Sequence, residues 1–348
     1  MAAPTIAPPQ RFVQEGLFLA IPTGVPGWCA PLPPDECRIT RLTQGPRCIY
    51  GVTAAPNPHV LAADYHGSVC YVRSLGPITD ANSLTGVVVT VDEQGRDRLF
   101  VAANTSAGCL LMSTINHATD DVIQEPSFWS PPCKQVVPPL QETARDLCIL
   151  GSDKIAVLMD HGVHIADLKA DAWTTTDAPA PAEPRRFLFT EKDQAWYADA
   201  ESRIWQLTEL EARRTALKLP GKLQTIGGAR NPDAVPVVTA DGTILLLDLV
   251  SGSSKPAGHS PLPRVQILCI VPDGRIFGLC GDGIGAFFCI DPQTSQCIIL
   301  GAVVATVGTR RYGFVFSCAI PGLDGEVILG EHDRGGHLWL YYPRQPQA

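Results

Sequence analysis

An order of short apolar runs and glycine-containing turns recurs along this chain. It is cleanest from Val265 to Gly301. There "VQILCIVP" is followed by Asp273-Gly274, "RIFGLCG" by "DGIG", "AFFCID" by "PQTSQ", and "CIILG" closes the unit. Four runs of strand length and three tight turns in about 37 residues describe an antiparallel meander. One such sheet cannot cover its own faces, so its repetition predicts an array in which neighbouring sheets bury one another.

The same order recurs along the chain. Residues 37–76 contain "CRITRLTQ", "CIYGVTA", "HVLAADYH" and "SVCYVRSLG"; residues 86–126 contain "GVVVTVDEQG", "RLFVAAN", "CLLMSTI" and "DVIQEP". Further units span 146–177, 185–220, 222–260 and 265–301. Within the fourth, "LTELEARRTALKL" also has helix formers near a 3.6 period, and we read it as strands because its neighbours repeat as strands. The last unit, 312–343, has only three runs: "GFVFSCAIP", "EVILGE" and "HLWLYYP". Its fourth strand is expected from "RFVQEGLFLAIPTG", within residues 11–25, because a strand from the other end of the chain closes a ring and removes its exposed edges. The 31 Gly and 31 Pro suit many short strands better than long helices.

"GEVILGEHDRGGHLWLYYP" and "CIYGVTAAPNPHVLAADYHG" resemble blades of seven-bladed β-propellers, and at the level of repeat order the resemblance spans nearly the whole chain. It implies an all-β fold of seven four-stranded antiparallel blades, closed by an N-terminal strand, in one domain over residues 1–348. The Trp-Asp strand end and the Gly-Gly pair that mark the WD-repeat and kelch groups do not recur in every blade. The resemblance therefore carries no catalytic residues over.

Charge and cysteine usage narrow the partners. Lys plus Arg is 27 against 35 Asp plus Glu, a net charge of −8, without the basic excess that phosphate-backbone binding needs. Nucleic acid is thereby an unexpected partner. No apolar run reaches membrane-spanning length and "MAAPTIAPPQ" does not read as a signal peptide, so no membrane association is expected and a cytoplasmic location is. The 12 cysteines include no CxxC pair; Cys48, Cys70, Cys109, Cys148, Cys269, Cys280, Cys289, Cys297 and Cys318 sit singly in apolar runs, as small buried hydrophobes do. No metal or other cofactor is expected: HExxH and His-x-His are absent, as are a P-loop, a GxSxG elbow and a dinucleotide fingerprint in strand-to-helix context.

In a four-stranded blade, the loop between the second and third strands shares a rim with the connection to the next blade, because successive strands reverse direction. On that rim the sequence places Asn57 and His59, Asn104, Asp160 and His161, Asp199, Asp241, Asp282, and Glu331, His332, Arg334 and His337. Asp241 and Asp282 precede Gly and read as turn formers. "MDHGVH" and "GEHDRGGH" are richer than a turn requires. They nominate His161 and His332 as an acid/base pair beside Asp160 and Glu331, and Arg334 as an anion clamp. His59, Asn57 and Asn104 join them as substrate-binding candidates. Two long connections overhang the same rim, "EPSFWSPPCKQVVPPLQETAR" and "GAVVATVGTRRYG", and bring Trp129, Arg311 and Tyr312. The expected function is a lyase or isomerase acting on a polyhydroxylated or carboxylated small molecule at the channel mouth. The alternative is a non-catalytic propeller that binds a protein or a ligand.

Overall fold

In the computed structural model, which describes residues 6–7, 16–24, 32–46, 48–54, 56–64, 71–116, 133–191, 193–306 and 310–343, every regular element is a β-strand. The strands form seven blades in a ring. Their innermost strands are Ile39–Gln44, Ser83–Val91, Ala144–Leu150, Phe187–Glu191, Leu223–Ile226, Val265–Ile270 and Phe316–Pro321. From each, the chain meanders outward through antiparallel pairs. The protein is a seven-bladed β-propeller.

Closure follows the expected route. Gly16–Gly24 pairs antiparallel with His337–Pro343 and so supplies the fourth strand of the last blade. Its final residues, Thr23 and Gly24, then run parallel to Val72 and Arg73 of the first blade. The two blades that meet at the chain ends are thereby joined through one strand. Phe18 on this strand packs 5.0 Å from Phe287 and 4.5 Å from Tyr341.

The strand reading of "LTELEARRTALKL" matches the structure, with strands at Arg203–Thr208 and Ala212–Lys218. The second blade differs from the sequence expectation. Its outer strand is Lys134–Gln135, paired with Ser113 and Met112, whereas "DVIQEP" lies outside the described residues. A two-residue polar strand beside prolines has no apolar periodicity by which it could be read. A further addition had no sequence signal: Ile6–Ala7 runs parallel to Cys297 and Ile298 on the outer edge of the sixth blade.

Buried apolar side chains form seven clusters, each straddling one pair of adjacent blades. This is why alternation along the strands is weak in sequence: central strands such as "IYGVT", "VPVVT" and "IFGLC" are buried on both faces. Among the described residues no disulfide is formed; nine of the ten cysteines are buried in these blades and Cys133 is partly exposed.

Each innermost strand carries a register shift against its neighbour at the same place, near its start. The residues left over are Thr40, Thr85, Arg145, Leu188, Gln224, Gln266 and Ser317. A bulge frees a residue from the ladder and bends the strand, which re-aims side chains at the mouth of the axial channel.

Candidate functional site

On the rim nominated by the sequence, carboxylates and amides brace the blades. Glu331, 1% exposed, accepts the backbone N–H of His337 at 3.0 Å, His337 Nδ1–H at 3.1 Å and Trp339 Nε1–H at 3.0 Å. Burial raises its pKa above the ordinary carboxylate range, against the pull of the His337 and Trp339 hydrogen bonds. Asp199 does the same work in the fourth blade, accepting from the backbone of Glu201 and Arg203 and from Trp205 Nε1, each at 2.9 Å. Thr53 accepts the backbone N–H of His59 at the equivalent position of the first blade. Acceptors at the end of the second strand therefore hold the following turn.

Asp160 is gripped by Arg145 Nε at 2.6 Å and by Arg185, and the Arg145 hydrogen bond holds its carboxyl below the usual range. Asn104 clasps the backbone of Ala144 from both sides: its Oδ1 accepts the Ala144 N–H at 2.8 Å and its Nδ2 donates to the Ala144 carbonyl at 3.0 Å. Asn57 donates to Glu36 at 2.9 Å and holds a left-handed φ of 46°. His59 is buried between Ser74 Oγ at 2.7 Å and Glu36 at 3.3 Å, and burial lowers its pKa. Arg334 forks onto Asp35 from an exposed position, with contacts of 3.2 and 3.0 Å.

The two nominated imidazoles are set apart. His161 is exposed on the turn of the third blade, and His332 sits on the turn of the seventh, three blades away around the ring, with Nδ1 donating to the Ile39 carbonyl at 3.1 Å. Arg311 and Tyr312 form one arm of the small hairpin Val304–Ala305 with Arg311–Tyr312, and both are exposed. Trp129 lies outside the described residues. Among the described residues, no group of three His, Cys, Asp or Glu is placed to hold a metal ion.

The axial channel gathers a different set. It has a volume of about 700 Å³ and is walled by the innermost strands of all seven blades. Arg41, Asp146, Arg186, Gln224, Gln266 and Ser317 stand at its mouth, on the rim the sequence had marked. Asp146 accepts the backbone N–H of Leu147 and of Phe187, each at 3.0 Å. Gln224 accepts from Val265 N–H at 2.9 Å and Gln266 from Phe316 N–H at 3.0 Å, so a polar side chain of one blade holds the start of the next. Arg41 donates to the Thr40 carbonyl at 3.0 Å, and its Nε is buried without a hydrogen-bond partner. Arg186 reaches the Ser317 carbonyl only at 3.4 and 3.5 Å.

Sequence reasoning missed these groups because it compared the loops of the repeat and not its first strands. Had "CRITRLTQ", "RDLCIL" and "RRFLFTE" been superposed, Arg41, Asp146 and Arg186 would have stood out as charges near the heads of strands that are otherwise apolar.

A larger hollow of about 1270 Å³ opens on the opposite rim, between the first four blades. Several of its charged groups are engaged: Arg96 pairs with Asp92 at 2.8 Å, Arg98 lies over the Phe100 ring at 4.7 Å and donates to Ser113, and Asp153 pairs with Lys169, while Glu93 and Lys134 line its exposed edge. The channel, where donors stand unused, is the better candidate.

No protein-family model matches the chain, and no curated protein matches it. Among solved structures it is similar to a computationally designed protein, Ika8, at 12% identity and a TM-score of 0.54, covering 89% of this chain and 98% of that one. It is also similar to the extracellular domain of a B. thetaiotaomicron protein assigned as a one component or hybrid two component system. There the identity is 10%, the TM-scores are 0.55 and 0.54, and 93 to 95% of this chain matches 40% of that one. The chain thus spans less than half of that structure. These likenesses concern the fold alone.

Proposed function

We propose that this protein is a ligand-binding propeller that takes a small molecule in its axial channel. The observation that carries the reading is the channel itself: about 700 Å³, within the range of small-molecule sites, with convergent polar side chains at one mouth. Catalysis of the lyase or isomerase type would require an acid and a base within reach of one bound molecule. His161 and His332 stand three blades apart, and Glu331 and Asp160 are spent on bracing, which supports binding over turnover.

The partner in this proposal is a small molecule rather than nucleic acid, in keeping with a net charge of −8. No helix of the described residues is long and apolar enough to cross a membrane. We place the protein in a reducing compartment, the cytoplasm, in keeping with ten cysteines held as thiols among the described residues.

The test is a thermal-shift screen against sugar acids, lactones and polyols, repeated on two variants. Ile226→Trp sets an indole on the channel wall, and His161→Gln changes the outer turn. A hit whose stabilisation disappears in Ile226→Trp and persists in His161→Gln supports the proposal; the reverse pattern returns the site to the outer rim.

A further inference from the structure

We infer that Arg41 and Arg186 form an oxyanion-binding pair at the channel mouth, so that the ligand carries a carboxylate or phosphate group. This rests on the reading of the channel as the binding site and names the chemistry of what enters it.

The charges are arranged around one space. Arg41 and Arg186 line the same channel; burial, then the charge of Arg186, brings Arg41 down to about 10, so it remains cationic near neutral pH, and burial lowers Arg186 as well. Among the described residues, neither guanidinium makes an ion pair. The nearby Asp146 acts on both through space, yet its two oxygens face the Leu147 and Phe187 backbone N–H groups. Its place in the structure is explained by the blade seam it holds.

Two guanidiniums lining one channel repel each other, and desolvation adds to the cost. A protein that needed only to close its ring had neutral means, which it uses at Gln224, Gln266 and Ser317. The planar forks instead supply what a carboxylate or phosphate requires: several N–H donors in fixed geometry and positive charge in a site of low dielectric. Arg41 Nε, buried and unpartnered, is one such donor, and Arg186 has only its long contacts to Ser317. With Arg230 at the channel's other end, the lining carries three arginines against one carboxylate. A chain that is acidic overall thus keeps a cationic lining along its axis.

The experiment is calorimetric titration of the full chain with inorganic phosphate and with malate, against xylitol as a neutral probe. It is run on the wild type, Arg41→Gln, Arg186→Gln, Arg41→Lys and Arg264→Gln. Arg264 is an exposed arginine on the same rim, paired with Asp282, so its substitution makes the same change in net charge away from the channel. We expect phosphate or malate to bind the wild type. Kd should rise at least tenfold in Arg41→Gln and Arg186→Gln, less in Arg41→Lys, and less than twofold in Arg264→Gln.

A second readout guards against a merely structural role. Without ligand, Arg41→Gln and Arg186→Gln should melt no lower than the wild type, because each relieves the repulsion; a fall in both would assign the arginines to ring stability and overturn the inference. Oxyanion binding that is unchanged in both Gln variants also overturns it. Xylitol bound in a manner sensitive to Ile226→Trp, with no oxyanion binding, would leave the channel reading standing and remove the oxyanion pair. Binding of none of the three probes, with an Ile226→Trp-sensitive hit from the wider screen lacking an anionic group, would likewise remove the pair and keep the channel.

Discussion

Asp146, near the head of one innermost strand, accepts the backbone N–H of Phe187, the first residue of the next, at 3.0 Å. The same relation joins Gln224 to Val265 and Gln266 to Phe316, while Ser317 donates to the Ile39 carbonyl at 2.6 Å. One residue type after another meets the same need: the first N–H or C=O of a strand faces the channel without a ladder partner and must be satisfied. The seam makes the channel wall, and the wall positions the arginines.

That role gives a ranked prediction. Asp146→Ala removes the acceptor of two backbone N–H groups and leaves Arg41 and Arg186 without a nearby anion, so it should cost about 3 kcal/mol. Gln224→Ala removes one neutral acceptor and should cost about 1 kcal/mol, and Gln266→Ala, which also removes the donor to the Gly281 carbonyl, should fall between the two. Urea unfolding of the three variants checks the order; equal losses would contradict it.

Ring closure predicts a strong effect of one aromatic residue. Phe18 belongs to the strand that completes the last blade, and its ring touches Phe287, Trp339 and Tyr341. Phe18→Ala should cost about 2 to 3 kcal/mol, somewhat under the value for a fully buried ring. Deletion of residues 1–24 should go further and expose both the strand His337–Pro343 and the first blade's outer edge. Such a protein is expected to associate on gel filtration.

Glu331 sets a pH dependence. Its pKa is raised by burial above the ordinary 4.5, so the native state holds the proton longer than the unfolded chain does. Its contribution to stability is greatest below pH 4.5 and declines as pH rises from there through the raised value. Glu331→Gln removes this slope. The stability difference between variant and wild type should shift in the variant's favour from about pH 4 to pH 7, by melting in matched buffers. Asp160 has the opposite sign: Arg145 holds its pKa below 3.8, so its contribution is present above that value and is lost as pH falls through the lowered one.

Thiol reactivity follows from burial. Burial raises Cys109 to about 12 and Cys280, Cys297 and Cys133 to about 11, which leaves little thiolate at pH 8. Of the ten described cysteines, only the partly exposed Cys133 should be alkylated in the native protein within minutes, and slowly; all should react in urea. Peptide mapping after iodoacetamide treatment reads both states.

The blade order was legible because turns such as Asp273-Gly274 and Asp241-Gly242 punctuate strands of even length. The closing strand was legible because the unit at 312–343 holds three runs of strand length where the others hold four, and "RFVQEGLFLAIPTG" offers the missing one. The outer strand Lys134–Gln135 was not, since two polar residues carry no period. The rim polar groups were legible as residues but not as roles: sequence shows Glu331 near His337 and cannot show Trp339 turning its indole N–H onto the same oxygen. The channel arginines were hidden for a different reason. Their neighbours are the heads of other blades, far off in sequence, and only closure of the ring brings Arg41 and Arg186 to one axis.

A crystal structure of the protein soaked with the tightest binder from the ligand screen decides where the ligand sits. We expect that molecule in the axial channel, within hydrogen-bond reach of Arg41 or Arg186, with the turns at His161 and His332 unoccupied. Density for the ligand on those outer turns, with the channel unoccupied, would contradict it.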